Sequence, residues 1–205
     1  MKIICIGRNY VEHAKEMNSP LPSSPIYFLK PDTSILRTKN FYYPKFTSSL
    51  HYECELVIKI EKVGKNIQEK YAHTYYSEFT LGIDFTARDL QTECKKSGLP
   101  WEIAKGFDNS APLSKQWLKI DDYPNGVQFT LNKNKTTVQS GDSNQMIFSF
   151  DKIISYLSKF ITLKKGDLIF TGTPAGVGEV NIGDVLEASV GDLDRLQMPR
   201  VHHRC

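Results

Sequence analysis

Two carboxylates one residue apart, Glu53 and Glu55, sit in the stretch His51-Tyr-Glu-Cys-Glu-Leu-Val-Ile-Lys-Ile60. Its Tyr, Val and Ile content and its lack of Pro and Gly predict a β-strand. Strand side chains alternate, so both glutamates project from one face and Tyr52, Cys54 and Leu56 from the other. Like charges that close repel, and burying them unpaired costs on the order of several kcal/mol. A hard divalent cation removes the conflict, because Mg2+ takes oxygen ligands from one or two carboxylates. Asp84, at the end of the apolar run Phe79–Ile83, is the candidate third ligand. Taken alone, a Glu-x-Glu pair more often marks a solvated sheet face.

Other residues carry further chemistry. The segment Asn9–Met17 reads as a short helix with Asn9 as its N-cap, and Pro20, Pro22 and Pro25 stop any continuation. On it His13 and Glu16 share a face at i and i+3. A carboxylate beside an imidazole orients it as a general base, although a solvated surface pair has the same spacing. The Pro/Ser segment that follows makes this helix a lid rather than a core element. A second helix, Thr86–Lys96, places Arg88, Gln91 and Lys95 near one face, with Gln91 pointing back toward Asp84. Lys105, beside Gly106 and Phe107, reads by itself as a surface lysine. The loop Thr171-Gly-Thr-Pro-Ala-Gly-Val-Gly178 resembles a glycine-rich anion cradle. It lacks the Lys-Ser/Thr ending of a nucleotide loop.

The elements that must position these groups come from a chain of 205 residues, 40% hydrophobic and 24% charged, enough for one domain with a real core. The net charge is +3 with lysines scattered, which does not support a nucleic-acid partner. No apolar run approaches the roughly 20 residues of a membrane span, and the N-terminus does not read as a signal peptide. Four cysteines without metal-finger spacing fit a reduced, cytoplasmic protein. Strand patterns at 2–6, 26–29, 168–170 and 183–190, a hairpin over 127–139 and a helix from Ile147 to Phe160 complete the reading. Many short strands, a few short helices and no βαβ rhythm predict an α+β, mostly β fold with a curled mixed sheet.

Six short motifs, in order, carry a resemblance. Gly7-Arg-Asn-Tyr-x-x-His13-x-x-Glu16, Phe28-x-Lys-Pro31, His51-x-Glu53-x-Glu55, Asp84-x-Thr-Ala-Arg88-Asp-x-Gln91, Lys105-Gly-Phe107 and Thr171-Gly-Thr-Pro-x-Gly-Val-Gly178 resemble the fumarylacetoacetate hydrolase family, most closely its short single-domain branch. The resemblance covers residues 2 to about 191. It implies a curled β-sheet roll, a single catalytic domain over 1–205 with strand and lid helix in about 1–25, and a homodimer. It further implies one Mg2+ or Mn2+ on Glu53, Glu55 and Asp84, a His13–Glu16 base dyad, and substrate contacts from Gln91, Lys105 and Thr173. The implied activity is metal-dependent C–C hydrolysis of a small 2,4-dioxo acid to pyruvate and a carboxylate, with oxaloacetate decarboxylation possible at the same site. The alternative is an isomerase or decarboxylase of a 2-hydroxydienoate. Two features depart from the pattern. Gly106 stands where several relatives carry Ser. The tail from about 192 to 205, with His202, His203 and Cys205, does not resemble a β-strand ending and is expected to be disordered or a variant terminus.

Overall fold

Apolar runs closed by Gly, Pro and Asn become the strands of the computed structural model, which describes residues 1–38, 40–191 and 194–202. In chain order the first elements are β1 (Ile3–Gly7), α1 (Val11–Glu16), β2 (Ile26–Lys30), β3 (Asn40–Tyr42), β4 (Leu50–Tyr52) and β5 (Cys54–Lys59). Next come α2 (Glu69–Ala72), β6 (Glu78–Ile83), β7 (Thr86–Ala87), α3 (Arg88–Ser97), α4 (Glu102–Lys105) and β8 (Leu118–Lys119). The remainder is β9 (Gln128–Lys133), β10 (Thr136–Asp142), α5 (Phe150–Phe160), β11 (Leu168–Phe170), β12 (Gly178–Glu179), β13 (Val185–Val190) and β14 (Asp194–His202). The fold is α+β and mostly β, as the sequence predicts.

Three sheets are formed. The largest has the order β2-β1-β11-β5-β6-β8, a second β10-β9-β13-β14-β3, and a small third β12-β4-β7. The two larger sheets are mixed, since β1 runs parallel to β11 and β14 parallel to β3, while the third is wholly antiparallel. Apolar residues from all three sheets and from helices α2 and α5 meet in the main core, among them Leu50, Leu56, Ile58, Ala72, Phe79, Leu81, Phe129, Leu131, Ile153 and Leu157. Helix α5 fits there because Ser149 caps its first turn, accepting from Lys152 N, while Ile153, Ile154 and Leu157 fall on one buried face. Helix α3 ends at Gly98 in the left-handed conformation (φ 65°), a common helix terminator. Among the described residues no helix is long and apolar enough to cross a membrane.

Three expectations change. The tail is not disordered over 194–202: β14 pairs antiparallel with β13 and parallel with β3, and Val201 is buried. Backbone pairing on both edges overrides the atypical, Arg- and His-containing sequence. His203 and Cys205 lie outside the described residues. Asn9 does not cap α1, whose N-cap position is Tyr10. Its amide instead donates to Phe148 O and Thr171 O and accepts from Phe148 N, joining three segments in the interior. Finally, the hairpin turns on Asn134-Lys135, both with positive φ (52° and 69°), the pattern tight hairpins need, rather than on an Asn132–Asn134 turn.

A chain ending at Gly191 would leave β13 and β3 without their shared neighbour. The expected result is a loss of at least about 3 kcal/mol, a fall in Tm of about 6–12 °C at this chain length, measurable by differential scanning calorimetry.

Candidate active site and metal centre

The antiparallel register of β5 and β6 builds the acidic centre. Cys54 pairs with Ile83, so the next residue of one strand and the preceding residue of the other face each other. Asp84 N then donates to Glu53 O at 2.8 Å. Glu53 occupies the break between β4 and β5 rather than a continuous strand, yet it still turns to the same side as Glu55. Carboxylate oxygens of Glu53, Glu55 and Asp84 lie within 4.8 Å of one another. All three residues are buried, at 6%, 1% and 1% exposure. The solvated-face alternative for Glu-x-Glu is thereby excluded.

Buried like charges need compensation, and three cations supply part of it. Lys105, 2% exposed at the end of α4, donates from Nζ to Glu53 Oε2 (2.8 Å), Asp84 Oδ2 (2.7 Å) and Thr86 Oγ1 (2.6 Å). It is no surface lysine. Burial lowers its pKa, but the carboxylates of Asp84 and Glu53 raise it further, so it stays an ammonium. Arg88 reaches Glu53 Oε1 at 2.6 Å and Gln91 Oε1 at 2.6 Å. Lys30 Nζ lies 2.7 Å from Asp84 Oδ1. Its hydrogens, however, are directed at Phe85 O, Ser110 O and Ser110 Oγ, so Asp84 Oδ1 accepts no hydrogen bond. Gly106 follows Lys105 closely enough to Glu102 O that an added Cβ would lie 3.1 Å from it, with Pro31 Cδ at 3.3 Å. A Ser there would press on this turn.

The three carboxylates respond differently. Burial alone would raise the pKa of Glu53, but Lys105, Arg88 and His13 hold it well below the ordinary carboxylate range. Glu55 is pushed well above that range by burial and by the neighbouring Asp84 and Glu53, offset only partly by the Gly172 N–H. Among the described residues Glu55 has no ion pair, and its one hydrogen bond comes from Gly172 N at 2.7 Å. An under-compensated glutamate and an unsatisfied Asp84 oxygen, in an all-oxygen donor set, fit a hard divalent cation of the Mg2+ or Mn2+ type.

The other expected residues converge on the same pocket. Its walls include His13, Gln91, Lys105 and Thr173 together with the acidic triad. His13 Nδ1 lies 3.2 Å from Glu16 Oε2. An ionised Glu16 can only accept, so it orients Nδ1–H and leaves Nε2 as the basic nitrogen. Glu16 Oε1 also accepts from Gly176 N at 3.1 Å. The glycine-rich loop therefore cradles anions as its composition predicts, but the anions are the protein's own Glu55 and Glu16. Gly172 (φ 102°) must be glycine, since a Cβ would stand 2.6 Å from Asn9 Cβ. The Thr173 hydroxyl donates to Cys54 O and accepts from Gln139 Nε2, so it braces the Glu53–Glu55 segment while lining the pocket. Sequence reasoning gave no role to Gln139, Lys30 or Arg88. Lys30 and Arg88 lay within quoted motifs, whereas Gln139 turns inward because of a bulge between Thr137 and Gln139 that no local pattern announces.

With this geometry in view, the comparisons with known proteins are specific. Residues 2–200 match the model of the fumarylacetoacetate (FAA) hydrolase C-terminal family. The chain belongs to the fumarylacetoacetate hydrolase family. It is 45% identical over 193 residues to a mitochondrial oxaloacetate tautomerase of Mus musculus, covering 92% of this chain and 86% of that one. It is 43% identical over 199 residues to a mitochondrial oxaloacetate decarboxylase of Dictyostelium discoideum, covering 94% and 90%. Among solved structures, fumarylpyruvate hydrolase from Pseudomonas aeruginosa in complex with Mn2+ and pyruvate superposes with a TM-score of 0.92 at 36% identity, covering 100% and 90%. This fumarylacetoacetate hydrolase family chain is thus an enzyme related to proteins acting on 2-oxo acids.

Cation binding needs Glu55 ionised, so it should release a proton. A carboxyl with a raised folded pKa stabilises the protein fully below its unfolded pKa and loses that contribution as pH rises through the folded value. The stabilising effect of Mg2+ over EDTA should therefore widen as pH rises above the ordinary carboxylate range. Glu53 has the opposite sign, and its contribution is lost as pH falls below that range. Calorimetric Mg2+ titrations in buffers of different ionisation enthalpy should show proton release in the wild type and none in Glu55→Gln.

Proposed function

We propose that this protein is a metal-dependent enzyme that enolises small 2-oxo acids and cleaves a C–C bond in acylpyruvates, with oxaloacetate as a further substrate. The observation that carries this reading is the buried Glu53–Glu55–Asp84 triad sharing one pocket with the His13–Glu16 pair and Lys105. A cation on the triad would supply a Lewis acid for the oxygens of a 2-oxo acid. The chain's own residues account for the rest.

Lys105 presents a fixed positive charge beside the triad, suited to the oxygen that becomes negative as the substrate enolises. Gln91, whose carbonyl is held by Arg88, keeps its amide hydrogens to orient the substrate. His13 Nε2 would take a proton from C3 of oxaloacetate in tautomerisation, and return it at the other position. In hydrolysis it would instead take a proton from the water that attacks the distal carbonyl. The new C–O bond forms, the C–C bond breaks, and its electron pair passes into the pyruvate enolate, which is then protonated at carbon. Decarboxylation reaches the same enolate by losing CO2, with no attacking water. A homodimer, a small 2-oxo acid as ligand, no nucleic acid or membrane partner and a cytoplasmic location belong to the same proposal. Light scattering at twice the 23.4 kDa of the chain would support the dimer.

The test follows oxaloacetate enol–keto interconversion, oxaloacetate decarboxylation and pyruvate release from acetylpyruvate, with Mg2+, Mn2+ or EDTA. Glu53→Ala should abolish all three. His13→Ala should lower tautomerisation and hydrolysis by about 10²–10⁴-fold and decarboxylation less, because only the first two need a base. Absence of all three activities in metal-loaded protein would rule the reading out and direct assays to 2-hydroxydienoate isomerisation.

A further inference from the structure

The pocket is graded in depth. Its floor is the buried set Glu53, Glu55, Asp84 and Lys105, and its outer wall includes Arg8, Lys95 and Trp101. Arg8 is half-buried and Lys95 exposed. Among the described residues neither forms an ion pair with a carboxylate, unlike Arg88 and Lys105, which line the same pocket, and Lys30 behind Asp84. These are spare positive charges. They also lie close together: partial desolvation of the Lys95 ammonium and the nearby charges of Arg88 and Arg8 lower its pKa, although the residue as a whole is exposed. Trp101 ties the wall together, since the Lys95 ammonium stands 5.5 Å from its ring centroid and the ring packs 3.6 Å from where a Cβ on Gly7 would be.

Arg8 also has an uncommon backbone. Its φ is 60°, left-handed for a residue that is neither Gly nor Asn. Neighbouring anchors hold it there. Gly7 is the last residue of β1, and the Asn9 amide is locked to Phe148 and Thr171. A residue kept in a sparsely populated conformation on a pocket wall, with an unpaired guanidinium, marks a functional position. Repulsion between unpaired cations that line one pocket is relieved by an anion bound between them, and guanidinium suits a carboxylate through paired N–H donors.

We propose that Arg8 and Lys95 form a subsite for the second carboxylate of a 2-oxo dicarboxylic acid whose 2-oxo acid end lies over the acidic triad and Lys105. The assignment rests on the 2-oxo acid reading of the floor. It makes the enzyme selective for substrates with an anionic distal end over those ending in a methyl group.

Matched ligand pairs test it. Malate and lactate share a 2-hydroxy acid end and differ in the distal carboxylate, as oxaloacetate and acetylpyruvate differ among substrates. Calorimetry on the Mg2+-loaded protein should show malate binding about tenfold or more tightly than lactate, the size expected of charge-assisted hydrogen bonds. Arg8→Gln should remove most of that difference and raise KM for oxaloacetate about tenfold, with acetylpyruvate changed less than about twofold. Lys95→Gln should act in the same direction, and Arg8→Lys should restore part of the selectivity. Equal binding of malate and lactate by the wild type, or equal losses on both substrates in Arg8→Gln, would overturn the subsite. If malate selectivity depends on Arg8 while no 2-oxo acid turns over, the subsite stands and the catalytic reading falls.

Discussion

Three carboxylates buried within 4.8 Å of one another are the constraint around which the rest of this structure is arranged. In a low-dielectric interior each would be costly alone and worse together. The chain answers with Lys105 bridging Glu53 and Asp84, Arg88 on Glu53 and Lys30 beside Asp84. Counted formally, three positive charges face three negative ones. The balance is uneven in space, however, because among the described residues Glu55 receives only the Gly172 N–H, and that asymmetry is what favours a divalent cation. With such a cation bound, the floor would carry a net positive charge matched to an anionic substrate.

The same demand for compensation links parts of the chain that are remote in sequence. The loop after β11 donates Gly172 N–H to Glu55 and Gly176 N–H to Glu16. One loop therefore holds both a metal-ligand candidate and the orienting member of the base pair, linking their positions. Gln139 extends the arrangement. Its carbonyl accepts from Cys54 N, and its amide donates to Thr173 Oγ1 and Pro174 O, tying the acidic strand, the hairpin and the loop together. Asn9 does the same on the other side, through Phe148 and Thr171. Buried amides suit this work because each can satisfy a donor and an acceptor in a fixed geometry.

Much of the site was legible in the order and spacing of residues. Glu53-x-Glu55 announces paired carboxylates, His13-x-x-Glu16 an oriented imidazole, and the glycines at 172 and 176 backbone conformations that other residues avoid. Strand and helix types followed from apolar periodicity, as in α5, whose apolar stripe predicted a helix from Ile147 although Ser149 caps it and it begins at Phe150. These signals are local, and local chemistry is what a sequence records directly. Lys105 shows the limit: in sequence it looks like any charged residue, and its burial at 2% depends on carboxylates about 20 and 50 positions earlier.

The sequence, read through six motifs in order rather than residue by residue, therefore determined the inventory of the site: an acidic triad, a base pair, an anion-binding loop and a mostly β framework to carry them. Tertiary structure alone decided how these parts are shared. The β5–β6 register set Asp84 against Glu53, a bulge turned Gln139 inward, and the loop expected to face a ligand was given to Glu55 and Glu16. The 194–202 segment became a strand because two neighbouring edges offered it hydrogen bonds. The physical reason is common to all four. Burial makes every unpaired charge and backbone group costly, and the partner that relieves the cost is chosen by proximity in space, which periodicity along the chain does not encode.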